Sequence, residues 1–276
     1  MVDHILLIGR MGSGKSTLAS QMAPEYLVLN FDGRWVEQNP NVSGKYHLIS
    51  NADPIVVVNE MEKKRPGLAS VVQSVIVDSG TQILDYVQSY DRLKNADAGD
   101  KKWMNEAFKR KADTMRVLAG AVMRWNCSTC WIFHIEDSMQ GGKAQIRQTI
   151  PNAELERLKK SLNVILEVFQ DKKGRAVKIV WTRYNDNKAE GQIIRDTEGM
   201  WKGVLPKVSE FIREFTGTEG YNGNAYSKEW LYTFLQSKGK EYKSIEHMVK
   251  ELGLEQEPRW FDRNAWGEII KKAGVE

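Results

Sequence analysis

Residues 9–17 read Gly9-Arg10-Met11-Gly12-Ser13-Gly14-Lys15-Ser16-Thr17. The first eight fit the spacing G-x-x-x-x-G-K-[ST], a loop whose glycines let successive backbone N–H groups curl around an anion. Residues 4–8 (HILLI) form a short apolar run bounded by glycine, which predicts a buried parallel strand leading into the loop and then into a helix. That context is the one the spacing requires, because the start of a helix adds positive potential where phosphates would sit. Lys15 is then expected to reach the β- and γ-phosphates of ATP, and the Ser16 hydroxyl to bind Mg²⁺. Gly9, Gly12, Ser13, Gly14 and Thr17 would supply the surrounding contacts. The alternative is a glycine turn that holds no nucleotide.

Outward from the loop, strands and helices alternate. Residues 26–31 (YLVLNF) predict a second strand stopped by Asp32-Gly33, and 35–52 look like an irregular connection. Asp53-Pro54 opens a helix with an N-capping carboxylate and a proline at the first helical position. A third strand over 71–77 ends in Asp78-Ser79, and Thr81 starts the next helix. Residues 103–125 have helical spacing, 130–135 (CWIFHI) predict a fourth strand, and 138–151 a polar, glycine-containing loop. Residues 162–170 and 175–184 flank Asp171-Lys-Lys-Gly174 and predict a β-hairpin, followed by a helix over 206–215. The expected architecture is α/β, a mainly parallel sheet with an antiparallel hairpin at one edge. Residues 1–216 would form this core, 217–224 (GTEGYNGN) a linker, and 225–276 a small helical domain with helices over 227–236, 244–252 and 262–273.

With 276 residues, 41% hydrophobic and 28% charged, the chain has the composition of an ordinary globular protein and length for a large domain plus a small one. No run of 18 apolar residues and no leader pattern is visible, so the expectation is a cytoplasmic protein without a membrane partner. Cys127 and Cys130 are the two cysteines, too few for a four-ligand zinc site or a disulfide framework, and read as core. The net charge of +4 is uneven, since residues 217–276 carry nine basic against ten acidic residues. By contrast Lys101, Lys102, Lys109, Arg110, Lys111, Arg116 and Arg124 outnumber Glu106 and Asp113 within 101–124, which suits an anionic partner.

Asp78, after Val-Ile-Val at a strand end, stands where a carboxylate orients magnesium, commonly through water; its other reading is a cap for the helix at Thr81, a task Ser79 could equally perform. Together with the phosphate loop, the strand ending in Asp32, the stretch from Arg116 before CWIFHI and the terminal hairpin, residues 9–200 resemble the RecA-like P-loop ATPases. The resemblance is closest to the compact phage-encoded branch associated with single-strand DNA annealing and recombination. It implies that Asp32 polarises the attacking water, in place of the family's usual glutamate; the alternative is an Asp-Gly turn residue. It likewise implies that His134 senses the γ-phosphate where glutamine is commoner, rather than being a structural histidine. Two DNA loops would fall at 95–103 and 138–151, where Lys101, Lys102, Lys143 and Arg147 could meet phosphates and Trp103 stack on a base; otherwise these are solvated polar loops.

Arg183, with Lys188 as a second candidate, falls where the family places a basic residue that reaches a neighbouring subunit's nucleotide, implying a ring or filament of identical chains. The ordinary reading of Arg183 is a surface residue at a strand end. The resemblance stops before the last 60 residues, where Trp230, Trp260 and Trp266 read as core and the segment as a partner-binding or oligomerisation module. The function it implies is a Mg-dependent, DNA-stimulated ATPase that assembles on single strands and promotes annealing or recombination, in the host cytoplasm if phage-encoded. A nucleotide-gated DNA-binding module with negligible turnover and a P-loop kinase are the rival readings.

Overall fold

A computed structural model of the chain describes residues 4–23, 25–39, 46–94, 102–140, 143–183, 189–216, 231–232, 235–236, 238–253 and 272–274. The chain divides into two units, Val2–Thr216 and one made essentially of Gly217–Glu276. The larger is a mixed α/β unit with a mostly parallel sheet, in the order β3(Tyr46–Ser50), β2(Tyr26–Asn30), β4(Ser74–Asp78), β5(Ser128–Gln140), β1(His4–Gly9), β7(Val164–Asp171), β8(Gly174–Thr182), β9(Ile193–Arg195). The first six run parallel; β8 and β9 continue by antiparallel pairing. In β2 and β4 every residue is buried, and in β1 every residue after His4. Strands covered on both faces carry unbroken apolar runs, so these three were the most legible in the sequence.

The helices of this unit are α1(Lys15–Ala19), α2(Trp35–Gln38), α3(Pro54–Leu68), α4(Gly80–Lys94), α5(Lys102–Met123), α6(Asn152–Lys159) and α7(Val204–Thr216). Asp53 caps α3 as expected, its side chain accepting from the Ile55 N–H at 2.8 Å. Helices α3, α4 and α5 bury Val57, Met61, Ile83, Leu84, Leu118 and Val122 in a core that also takes in Leu29 and Val75 of the sheet. Each such side chain contributes about 1.5–3 kcal/mol by leaving water, which holds the strands, and hence the loops at their ends, in fixed register.

Four features differ from the sequence expectation. The connection over 35–52 contains α2 and the edge strand β3, whose half-buried residues Tyr46, His47 and Leu48 lack the apolar run of a central strand. The fourth strand does not stop at 135: β5 continues to Gln140 and pairs antiparallel with β6(Lys143–Gln148), so the polar loop assigned to 138–151 is largely a hairpin. Its sequence is rich in polar residues, with Met139, Ala144 and Ile146 as its apolar positions beyond Ile135, which leaves only a weak hydrophobic alternation to mark a strand. Helix α6 and strand β9 are short elements that carried no recognised signal.

In the smaller unit, α8(Ile245–Glu251) starts at Ser244, whose hydroxyl accepts from the His247 N–H at 3.2 Å. Met248 and Val249 pack with Leu231, Leu235 and Ala273. The expected linker 217–224, most of the last predicted helix, and Trp230, Trp260 and Trp266 lie outside the described residues. Cys127 and Cys130 are free thiols, raised by burial to about 11 and well above the ordinary value respectively, so both stay neutral as core residues do. No helix among the described residues is long and apolar enough to cross a membrane.

Candidate functional site

Parallel strands bring their carboxyl ends to one edge of the sheet, the edge at which α/β sheets bind ligands. Register places the candidate residues there. Gly9 lies opposite His134, so β5 sits directly beside the loop that leaves β1, and Asn30 lies opposite Asp78. The Phe31 N–H donates to the Asp78 carbonyl at 2.7 Å, which fastens the segment carrying Asp32 to the end of β4.

Residues 10–14 turn from β1 into α1, with Gly12 and Gly14 at φ of 77° and 93°, a left-handed conformation that side chains disfavour. A Cβ on Gly9 would lie 2.3 Å from the Val168 carbonyl oxygen, and one on Gly14 would lie 2.6 Å from Trp201 Nε1. The loop is thus seated against β7 on one side and a fully buried indole on the other. Lys15 is 4% exposed and donates to the Gly9 and Arg10 carbonyls, each at 2.8 Å, closing the loop on itself. Burial lowers its ammonium to about 8, with the Asp78 charge working the other way.

Asp78 is 2% exposed and its carboxyl is pushed up to about 7, by burial first and by the Asp32 charge second. The Ser16 hydroxyl bonds to it and Lys15 and Arg34 attract it, all favouring the ionised form. Its Oδ2 is buried without a hydrogen-bond partner. Asp78 is not the cap of α4; the Ser79 hydroxyl accepts from the Gln82 N–H at 3.4 Å. A Cβ on Gly80 would strike the Phe133 ring at 2.2 Å, so the chain after Asp78 also requires glycine. Asp32, with its side chain 6% exposed, accepts from the Arg34 N–H at 3.0 Å and pairs with the Arg34 guanidinium at 3.5 Å.

His134 is lowered to about 4, chiefly by burial and then by the Lys15 charge, and is neutral at physiological pH. Its Nδ1 is buried and unpartnered. Its backbone is held from two directions: its N–H donates to Thr81 Oγ1 at 2.9 Å, and its carbonyl accepts from the Thr149 N–H at 3.1 Å and the Thr149 hydroxyl at 2.9 Å. The two threonine hydroxyls bond each other at 2.8 Å. This clasp joins β5, the first turn of α4 and the return from the β5–β6 hairpin. Sequence reading gave Thr81 only the start of a helix and passed over Thr149, since nothing local marks two hydroxyls 68 positions apart as neighbours.

A cavity of about 340 Å³ brings together Lys15, Ser16, Asp32, Asp78 and His134, with Gly12, Gly14 and Thr17 along the loop and Arg34 and Arg175 at its wall. The two arginines were not anticipated; Arg34 follows the Asp-Gly turn and Arg175 comes from a hairpin far along the chain. A second cavity of about 300 Å³ adjoins the same loop, lined by Ser13, Glu167 and Gln170 among others. Arg183 lies apart from both linings and is occupied within its own chain. Its Nε donates to the Leu162 carbonyl at 2.8 Å and its Nη2 to the Lys159 carbonyl at 3.0 Å and to that of Lys160. Lys101 and Lys188 lie outside the described residues, as do the side chains of Lys102, Trp103, Lys143 and Arg147, whose backbones belong to α5 and β6.

These residues fit a magnesium-bound nucleoside triphosphate. The left-handed glycines form a cradle with no Cβ to fill it, the Lys15 ammonium stands at its base, and the orphaned Asp78 oxygen beside the Ser16 hydroxyl is the donor set a hard cation takes. No family model and no curated protein matches the chain. Among solved structures, one titled as the RadB recombinase is similar with a TM-score of 0.42 and 17% identity, over 69% of this chain and 84% of that one. A likeness of that size bears on neither activity nor substrate.

Proposed function

We propose that this chain is a RecA-like, ATP-binding protein that engages single-stranded DNA and promotes annealing or recombination with ATP hydrolysis. The observation that carries the reading is the convergence of Lys15, Ser16, Asp32, Asp78 and His134 on one cavity beside the phosphate loop. The parallel sheet closed by an antiparallel hairpin supports the RecA-like assignment. Ser16 and Asp78 would hold Mg²⁺, which offsets phosphate charge when bound. Lys15 exchanges its two loop carbonyls for phosphate oxygens, and the loop N–H groups orient the phosphate tail. Asp32 positions a water and accepts its proton. His134, neutral and held by the Thr81–Thr149 clasp, links the cavity to the β5–β6 hairpin, where Lys143 and Arg147 are the candidate DNA contacts. Assembly into a ring or filament, with a partner-binding role for 225–276, belongs to the same proposal.

The decisive measurement is phosphate release from Mg-ATP with and without single-stranded DNA, in wild type, Lys15→Ala and Asp32→Asn. DNA-stimulated release abolished in both variants is expected. A second reading, a nucleotide-gated DNA-binding module with negligible turnover, is favoured by one feature: Arg34 already engages both oxygens of Asp32, occupying acceptors that would otherwise hold an attacking water. Tight ATP binding without phosphate release in wild type would select that reading.

A further inference from the structure

We propose that Arg175 is a cation this chain brings to the terminal phosphate from within its own subunit, an inference that rests on the nucleotide reading above. Strand β7 pairs with β1, so the turn of the β7–β8 hairpin projects past the same sheet edge as the phosphate loop. Arg175 is the second residue of β8, opposite Gln170, and its side chain reaches the cavity that Lys15, Asp32, Asp78 and His134 share.

The hairpin end is built to hold that residue still while leaving its charge free. Asp171 takes Arg195 in a two-point ion pair at 2.9 and 2.8 Å and accepts from the Lys173 N–H at 2.8 Å. The Arg175 carbonyl accepts from the Asp196 N–H at 3.0 Å, fixing the backbone at Arg175. The nearby carboxylate at the turn is therefore already neutralised by a different arginine. Among the described residues the Arg175 guanidinium has no side-chain or carbonyl partner, whereas Arg34 is engaged by Asp32, and Arg183 by carbonyls at and just beyond the end of α6. An unpaired guanidinium at the wall of a phosphate cavity is an anion-binding group, since its fork of donors matches phosphate oxygens and its charge does not titrate.

The test is a calorimetric titration of the full chain with Mg²⁺ plus a non-hydrolysable ATP analogue, and separately with Mg-ADP, for wild type, Arg175→Ala, Arg175→Lys and Arg183→Ala. Arg175→Ala should weaken the triphosphate analogue about tenfold, the size expected for one charge-assisted contact, and weaken ADP less than about threefold. Arg175→Lys should recover part of the loss, and the melting temperature of the nucleotide-free protein should be unchanged. Wild-type affinity for the analogue in Arg175→Ala, or equal losses for both nucleotides, overturns the inference and leaves the nucleotide site standing. A wild-type protein that binds neither nucleotide overturns the site reading, and this inference with it.

Discussion

Replacing Asp78 with asparagine should make the nucleotide-free protein more stable, and only above acidic pH. The carboxyl is 2% exposed and is pushed from 3.8 to about 7 by burial and by the Asp32 charge. Below about pH 4 it is protonated in both the folded and unfolded chains and affects nothing. As pH rises the unfolded chain releases the proton first while the folded one retains it, so stability is lost progressively and the loss is complete above about pH 7. A displacement from 3.8 to about 7 corresponds to about 4 kcal/mol. That figure is already net of the attraction to Lys15 and Arg34, and relaxation around the ionised group offsets on the order of half of it, the remainder being what asparagine avoids. The net gain expected at pH 8 is about 1–3 kcal/mol, or roughly 2–10 °C for a unit of this size, falling to about 1 kcal/mol or less at pH 4.5. Calorimetric melts of metal-free and nucleotide-free protein at the two pH values measure it. With Mg-ATP present the order should reverse, because only the wild type gains from binding. A variant less stable than wild type at pH 8, or a difference independent of pH, would refute the account of Asp78 as a strained magnesium carboxylate.

Two further outcomes are expected. Thr149→Val removes the hydroxyl bonds to Thr81 and to the His134 carbonyl, so it should lower stability by about 1–3 kcal/mol and reduce DNA stimulation of phosphate release more than the basal rate. Thr149→Ser should retain both, and unchanged stimulation in the valine variant would show that the clasp couples nothing. For His134, lowered to about 4, the unfolded chain takes up a proton as pH falls below about 6.5 while the folded chain does not, so His134 costs stability progressively between about pH 6.5 and 4. Its ring resonances should accordingly stay constant from pH 5.5 to 8; a titration inside that range would contradict a neutral, buried imidazole.

How legible the molecule was depended on whether the deciding interaction is local. The phosphate loop, the buried strands and the Asp53 cap are written into neighbouring residues: glycine where φ is positive, apolar runs where both faces are covered, and a carboxylate two positions before the N–H it caps. The β5–β6 hairpin was not, because mostly polar strands carry only a weak hydrophobic period and are recognised once their ladder forms. Residue chemistry singled out Lys15, Ser16 and Asp78 as candidates, and the family resemblance singled out Asp32 and His134. Neither could say that Arg34 would occupy Asp32, that Arg183 would spend its guanidinium on carbonyls at and just beyond the end of α6, or that Asp171 would choose Arg195 and leave Arg175 facing the cavity. Those pairings are settled by which strands lie side by side. Sequence by itself determined an α/β chain with a glycine-rich strand-to-helix loop; among the described residues the tertiary structure alone decided which charges around that loop are spent and which remain free, because ion pairing depends on distances that only the packed sheet sets.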